Sequence, residues 1–428
     1  MSHEITATIL SIGDELLIGQ TINTNAGWMG EQLSLIGIRP TKVLVIGDDK
    51  QVILDALASV RTDVLLITGG LGPTKDDITK HTLCEFFGTK LVRHPHIEAK
   101  IAAFFESIGR EPLEVNRAQA DLPESCTVVP NDRGTASGMW FEQEGRIYVS
   151  MPGVPYEMKA MMQQHVLPEL QRFFEPPTIV HRTVLTTGLG ESHLAQRIAA
   201  WEDSLAEDAI KLAYLPSPGL VKLRLSTYDN NDPAGARGRV DQKADQLYRL
   251  IPELIFGEGE EKLELVVGRL LKERGETLAL AESCTGGYVS HLITSIPGSS
   301  AYYVGSVVSY ANAVKMEELG IPADMLKLEG AVSKAVVETM AQGVRAALRT
   351  EWSIAISGVA GPDGGTPEKP VGTVWLAVAG PDGVRSAMGS FPGSRDLVIK
   401  RSAVAALNML RRSLLNVGLA KPMVDENL

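Results

Sequence analysis

The stretch DVLLITGG, Asp63 to Gly70, decides the architecture of the first part of the chain. A run of consecutive apolar residues closed by two glycines reads as a strand buried on both faces, too short to be a helix. Upstream, Ile53, Ala56, Leu57 and Val60 recur at helical spacing, preceded by a second apolar run, TKVLVIG (Thr41 to Gly47). Further back, Ala26, Met29, Leu33 and Ile36 repeat the helical pattern after ATILSIG (Ala7 to Gly13). Continuous apolar strands alternating with amphipathic helices define a parallel sheet covered on both faces. In such sheets ligands sit beyond the carboxyl ends of the strands, so the loops leaving these runs are the first candidate site. The block closes near Pro168 to Leu170, ahead of the paired prolines of FFEPPT.

The full chain has 428 residues, 44% hydrophobic and 22% charged, with a formal net charge of −11. That composition is globular, and the acidic balance argues against a nucleic-acid binder, which presents a basic face. Cys84, Cys126 and Cys284 lack metal-ligand spacing and fit a reducing compartment. The start MSHEITATIL has no basic region followed by a long apolar core, and no stretch is apolar for long enough to span a bilayer. A cytoplasmic protein without a membrane partner is expected.

Two further blocks follow. Between Gln171 and Phe256, HRTVLTTGLG is strand-like, ESHLAQRIAAWED helical, and VKLRLSTYD (Val221 to Asp229) alternates as a half-exposed strand does. This predicts a small α+β module. Its ten Lys/Arg against eleven Asp/Glu make no basic stripe, and no RNA-clamping G-x-x-G loop is read in it. After the polar hinge GEGEEKLE (Gly257 to Glu264) the α/β pattern returns. Leu263, Val267, Leu270 and Leu271 mark a helix, and TLALAES, YYVGSVVSY, WSIAIS and GTVWLAVAG mark strands. A terminal helix is predicted from about Arg395 to Leu415, before the tail KPMVDENL. The expected fold class is therefore two α/β domains with mostly parallel sheets joined by a small α+β module. The domain limits are 1–170, 171–256 and 257–420, with a tail at 421–428.

Four loops of the first block carry chemistry-bearing residues. SIGDELLIGQTINTN (Ser11 to Asn25) places Asp14 and Glu15 at a strand end. TGGLGPTKDDIT (Thr68 to Thr79) offers Gly69, Gly70 and Gly72, whose N–H groups can approach an anion, followed by Asp76 and Asp77 at a helix start. Acidic residues there are also ordinary helix-start chemistry. NDRGTASG (Asn131 to Gly138) and MPGVPYEM (Met151 to Met158) complete the set. In this order the motifs resemble the N-terminal domain of the competence/damage-inducible protein A (CinA) family, related to molybdopterin-binding domains. Ser137 stands where related sequences often carry proline. The resemblance implies hydrolysis of ADP-ribose to AMP and ribose 5-phosphate with a divalent metal (Mg, Co or Mn). It puts Asp76 and Asp77 near the metal, and Asp14, Asn25, Gly69, Gly70, Gly72 and Thr74 around the substrate. Molybdopterin binding uses the same loop geometry and stays open as an alternative. The middle module resembles the KH-like insert of the same family and is expected to act as a spacer or dimerisation element in a homodimer.

In the third block, LALAESCTGGYVS (Leu278 to Ser290) sets two adjacent nucleophiles at a strand-to-helix corner. Helix capping by Ser283 and Thr285 is the plain explanation. Together with SYANAVK (Ser309 to Lys315), SGVAGPDGG (Ser357 to Gly365) and GSR (Gly393 to Arg395), however, the corner resembles the nicotinamide mononucleotide (NMN) deamidase domain of the CinA family. The resemblance implies a metal-free amidohydrolase that converts NMN to nicotinic acid mononucleotide and ammonia. Ser283 is then the nucleophile, Lys315 the base and Tyr310 a supporting residue, with Ser357 (threonine in many relatives), Gly361 and Arg395 as substrate contacts. The residues agree independently. The only histidine after Phe256 is His291, eight residues past Ser283 and roughly 12 Å further along if both lie on one helix. A lysine base is the remaining option, and Ser–Lys is an attested pairing. The N–H groups of Thr285, Gly286 and Gly287 are the expected oxyanion donors, and Cys284 reads as a packing residue. A non-catalytic partner in competence or recombination is the alternative from another functional class.

Overall fold

The computed structural model describes residues 4–72, 74, 77–176, 179–228 and 232–416. Apart from a short stretch at residues 228–233, these fall into two compact units, one ending at Ile179 and one beginning at Val180. Asp76 and the tail from residue 421 lie outside the described residues.

The first unit is built on a six-stranded sheet in the order Arg39–Ile46, Thr6–Ile12, Val64–Thr68, Arg146–Met151, Gly138–Gln143, Thr127–Val129. The first four strands are mutually parallel, and Gly138–Gln143 runs antiparallel to both of its neighbours. Strand alternation divides the core between the two faces. Ala7, Ile9, Val64 and Leu66 pack with Met29, Leu33 and Met158 on one side. Leu10, Ile12, Leu65 and Ile67 pack with Ile53, Leu57 and Leu83 on the other. Burying each such side chain is worth about 1.5–3 kcal/mol, and that is what forces apolar residues at consecutive positions. The covering helices start where polar side chains cap them: Asn23 accepts from the Ala26 N–H at 3.1 Å, and Asp49 from the Val52 N–H at 3.0 Å. Each cap contributes about 1 kcal/mol.

The second unit contains both the middle module and the last block. A four-stranded sheet, ordered Lys211–Ser217, Leu220–Tyr228, Ile179–Thr187, Ile255–Glu258, packs against helices Glu191–Asp203 and Pro233–Leu250. A G-x-x-G spelling does occur here, Gly235 to Gly238, but it lies inside the second helix and not in a loop. The last block has a five-stranded sheet, Tyr303–Val308, Leu278–Glu282, Trp352–Gly358, Thr373–Gly380, Gly383–Ser390. Its first three strands are parallel, and the last two form an antiparallel ribbon. Leu278 and Leu280 face one helical layer, Ala279 and Ala281 the other.

The twenty-residue helix Arg395–Leu414 joins these parts. Near its end Arg411, buried, donates to the carbonyls of Ile255 at 2.7 Å and Glu253 at 2.9 Å in the middle module. Leu185 and Phe256 of that module belong to the last block's core. The middle module and the last block are thus one packed body, although the sequence separates them with a polar hinge.

Candidate functional site

At the end of strand Leu278–Glu282 the chain turns through Ser283 to Gly287 before the helix Tyr288–Thr294 begins. The Ser283 N–H donates to the Ile356 carbonyl at 3.0 Å, anchoring the corner to the neighbouring strand. Neither Ser283 nor Thr285 caps the helix. Glu282 does: its buried carboxylate accepts from the N–H groups of Gly287 (3.1 Å), Val289 (3.1 Å) and Ser290 (2.9 Å) and from the Ser290 hydroxyl (2.6 Å). Such convergence needs a tight reversal, which Gly287 supplies at φ +97°. The helix expected to run on from Ser283 therefore starts at Tyr288, and the hydroxyl of Ser283 is left free of capping duty.

Lys315 lies on the helix Asn312–Leu319 and is 1% exposed. Its Nζ sits 3.1 Å from the Ser283 Oγ, 2.6 Å from the Ser309 carbonyl and 3.4 Å from the Tyr310 carbonyl. Burial holds the Lys315 amine below its ordinary pKa. The Lys315 amine is thus bounded by three acceptor oxygens, those of the Ser309 and Tyr310 carbonyls and of the Ser283 hydroxyl. Cys284 is buried in the apolar core beside it, and burial pushes its thiol up to about 12, so it stays protonated and inert at neutral pH.

The N–H groups expected to face an oxyanion are narrowed by the structure. Gly286 donates to the Ser283 carbonyl at 3.1 Å and Gly287 to Glu282, so both are engaged within the corner. The Thr285 N–H has no acceptor among the described residues, and the Thr285 hydroxyl is buried without a partner. Tyr310 also differs from expectation. Its side chain is 62% exposed and its hydroxyl accepts from Arg395 Nη2 at 2.9 Å, so it reaches Lys315 only through its main-chain carbonyl. Arg395, at the first position of its helix, also donates to the Gly361 carbonyl at 2.8 Å. Arg395, Tyr310 and Gly361 are thereby joined. The Ser357 hydroxyl is turned to the Ala331 carbonyl at 2.7 Å.

In the first unit, a cleft of about 490 Å³ opens at the carboxyl ends of the parallel strands, lined by residues from all four motif loops. Asn25, Gly69, Gly70, Gly72 and Asp77 line it. Gly69, at φ +106°, permits the close approach: a Cβ there would collide with the Ile12 carbonyl. Asp77 is held by its own loop, accepting from the N–H of Thr74 at 2.9 Å and from the Thr74 hydroxyl. Thr74 thus positions Asp77. The Asp14 carboxylate faces Gly47, and the acidic residues lining the cleft from that side are Glu15 and Asp48. Sequence reasoning also missed Gln119, from a short helical turn, and Glu157, whose motif MPGVPYEM it had quoted.

The donors in the cleft are carboxylates, amides and backbone groups, all hard, which suits Mg²⁺-class ions. Among the described residues no three acidic, histidine or cysteine side chains gather into a ligand cage. The residues therefore fit an ion carried by one or two carboxylates together with substrate phosphates and water, and not an all-protein cage.

Three family models match successive parts of the chain. Residues 8–172 match the family described as probable molybdopterin binding domain, 181–257 the damage-inducible protein CinA KH domain, and 260–414 the CinA C-terminal domain. A CinA-like protein of Cytophaga hutchinsonii is 43% identical over 97% of this chain and 100% of its own length. A putative competence-damage inducible protein of Caldicellulosiruptor saccharolyticus is 37% identical over 96% of this chain and 99% of its own. Among solved structures, a CinA superfamily protein from Klebsiella pneumoniae is 33% identical, covering 36% of this chain and 96% of its own, with a TM-score of 0.35. Matched along nearly its whole length, the chain belongs to the CinA family.

Proposed function

We propose that the chain hydrolyses the carboxamide of NMN to nicotinic acid mononucleotide and ammonia, with Ser283 as nucleophile and Lys315 as general base. The observation that carries this is the buried Lys315 Nζ, 3.1 Å from the Ser283 hydroxyl and short of its ordinary pKa. Ser283 Oγ attacks the amide carbon while its proton passes to Lys315. The Thr285 N–H is the available donor for the oxyanion. Collapse breaks the carbon–nitrogen bond, and Lys315 returns the proton to the departing nitrogen, releasing ammonia. Water, deprotonated by the same lysine, then cleaves the Ser283 ester. Arg395, forked and held by Gly361 and Tyr310, suits the nucleotide phosphate. The test is ammonia release from NMN by the full chain; no release by folded protein refutes the proposal.

A specific observation favours a second activity in the first unit: four motif loops meet around one cleft. We propose that it hydrolyses ADP-ribose to AMP and ribose 5-phosphate. Gly70 to Gly72 present N–H groups to the diphosphate, and Asp77 would hold a divalent ion, with Asp76 beside it in sequence. Such an ion supplies charge neutralisation to the phosphates when bound. Product analysis by chromatography tests it, and binding of a molybdopterin precursor without ADP-ribose turnover would favour the molybdopterin reading.

A further inference from the structure

Glu282 stands where the strand, the reactive serine and the helix start meet. It is 1% exposed, and each of its carboxylate oxygens receives two donors. Oε2 accepts from the N–H groups of Gly287 and Val289, and Oε1 from the N–H and the hydroxyl of Ser290. The Ser290 oxygen in turn accepts from the Tyr303 hydroxyl at 2.8 Å, so the one Ser290 hydroxyl proton is directed at Glu282. The main chain of the same residue reaches toward the base. Its carbonyl accepts from the Ser309 N–H at 2.8 Å, and the Ser309 carbonyl holds Lys315 Nζ at 2.6 Å. Nucleophile, base and helix start are all tied to this one residue.

Serine and threonine are the ordinary caps for helix-start N–H groups. Ser283 and Thr285 belong to the same turn, and without Glu282 their hydroxyls would be the side chains at hand for that duty. A serine drawn into a cap spends its oxygen on backbone N–H groups, and the turn that carries it there breaks the 3.1 Å approach to Lys315. The longer glutamate side chain reaches the same N–H groups from behind the corner and removes the competition. We infer that Glu282 is a positioning residue for the amide hydrolysis: by taking the helix-start N–H groups it keeps the Ser283 hydroxyl on Lys315 and the Thr285 N–H clear for the oxyanion. This rests on the amidase reading proposed above and adds to it a buried residue that acts through Ser283.

Steady-state NMN hydrolysis by the full chain tests it, with calorimetric binding of nicotinic acid mononucleotide counting the intact sites. Glu282→Gln has nearly the same shape, but its amide nitrogen donates and meets two further donors whichever way it turns. It is expected to lower kcat about 10²-fold, the usual cost of a slightly misplaced reacting group, with KM little changed. The number of product sites per chain stays the same. A merely structural role would lower kcat and the number of sites in step, as if fewer molecules were folded. That result overturns the proposal, and so does an unchanged kcat. Ser290→Ala keeps every backbone donor and removes only the hydroxyl, so it is expected to lower kcat about threefold with the site count unchanged. Should Glu282→Gln not fold, Ser290→Ala decides by the same two criteria. If the unaltered chain releases no ammonia from NMN, the amidase reading falls and the positioning role with it. If it does and the deciding variant matches it, the positioning role alone falls.

Discussion

The Ser283 corner and the first unit's cleft differ in how far their polar groups are already committed to one another. Around Ser283 the protein commits most of its own groups, Thr285 excepted: Glu282 gathers the helix-start N–H groups, Ser309 and Tyr310 hold the lysine amine, and Arg395 is seated on Gly361 and Tyr310. In the cleft, the glycine-loop N–H groups have no acceptor among the described residues, and the amide oxygens of Asn25 and Gln119 are buried without a partner. The first site has its reactive pair assembled before any substrate arrives, and electrostatic preorganisation of that kind removes reorganisation from the reaction itself. The second leaves the N–H groups of its glycine loop uncommitted among the described residues. Two halves of one chain can therefore respond differently to the same perturbation.

The sharpest way to break the contrast is at the assembled pair. Ser283→Ala is expected to lower ammonia release from NMN by about 10³-fold or more, on the order of 4 kcal/mol of barrier, with Lys315→Ala nearly as severe. The double variant should be little worse than either, since the two act as one unit. Normal turnover by Ser283→Ala, combined with loss in Cys284→Ala, would show the wrong nucleophile had been chosen. Next in size, a chelator should remove ADP-ribose hydrolysis while leaving NMN hydrolysis unchanged, and Asp77→Ala should lower the former by about 10²-fold. Sensitivity of both activities to chelator would erase the distinction between the sites.

A smaller and graded effect concerns pH. Because burial lowers the Lys315 pKa, the base is neutral over a wider range than an exposed lysine, and NMN hydrolysis should fall as pH drops through that lowered value. The stability sign follows from the same shift. Between the folded pKa and the ordinary lysine value the unfolded chain binds more protons, so stability rises with pH across that window. The melting temperature of the unaltered chain should gain on that of Lys315→Met as pH is raised from neutrality. A constant difference would mean that the lysine titrates as if exposed. Smallest for catalysis is Arg411→Met at the joint with the middle module. Loss of its bonds to Ile255 and Glu253 is expected to cost about 1–3 kcal/mol in denaturant unfolding with NMN turnover nearly intact.

Most of the fold was legible because long apolar runs ending in glycine have few other solutions, and the strands at Ala7, Thr41, Asp63 and Leu278 appear where the pattern puts them. The antiparallel return Gly383–Ser390 was not legible: its half-exposed, glycine-bearing sequence GVRSAMGS has no apolar run. Ser283 and Lys315 are brought together from 32 positions apart, which motif resemblance suggests but local pattern cannot. Glu282 looked like the last residue of a strand, and its capping role exists only once the chain has folded back over it. Gln119 sits on a three-residue turn, too short to carry any periodic signal, and enters the cleft through tertiary packing alone.

The helix Arg395–Leu414 has its first residue beside Tyr310 and Gly361 and, sixteen residues on, Arg411 against the middle module. Each residue of a helix advances about 1.5 Å and turns about 100°. Inserting or deleting one residue between these two arginines would swing one of them a quarter-turn or more off its partners, whatever residue was added. Substitutions along the exposed side of this helix are open to drift, but its length is not. Between Arg395 and Arg411 the contacts at both ends fix the spacing itself, and a library of single-residue insertions should be depleted there more sharply than in the hinge at Gly257 to Glu264.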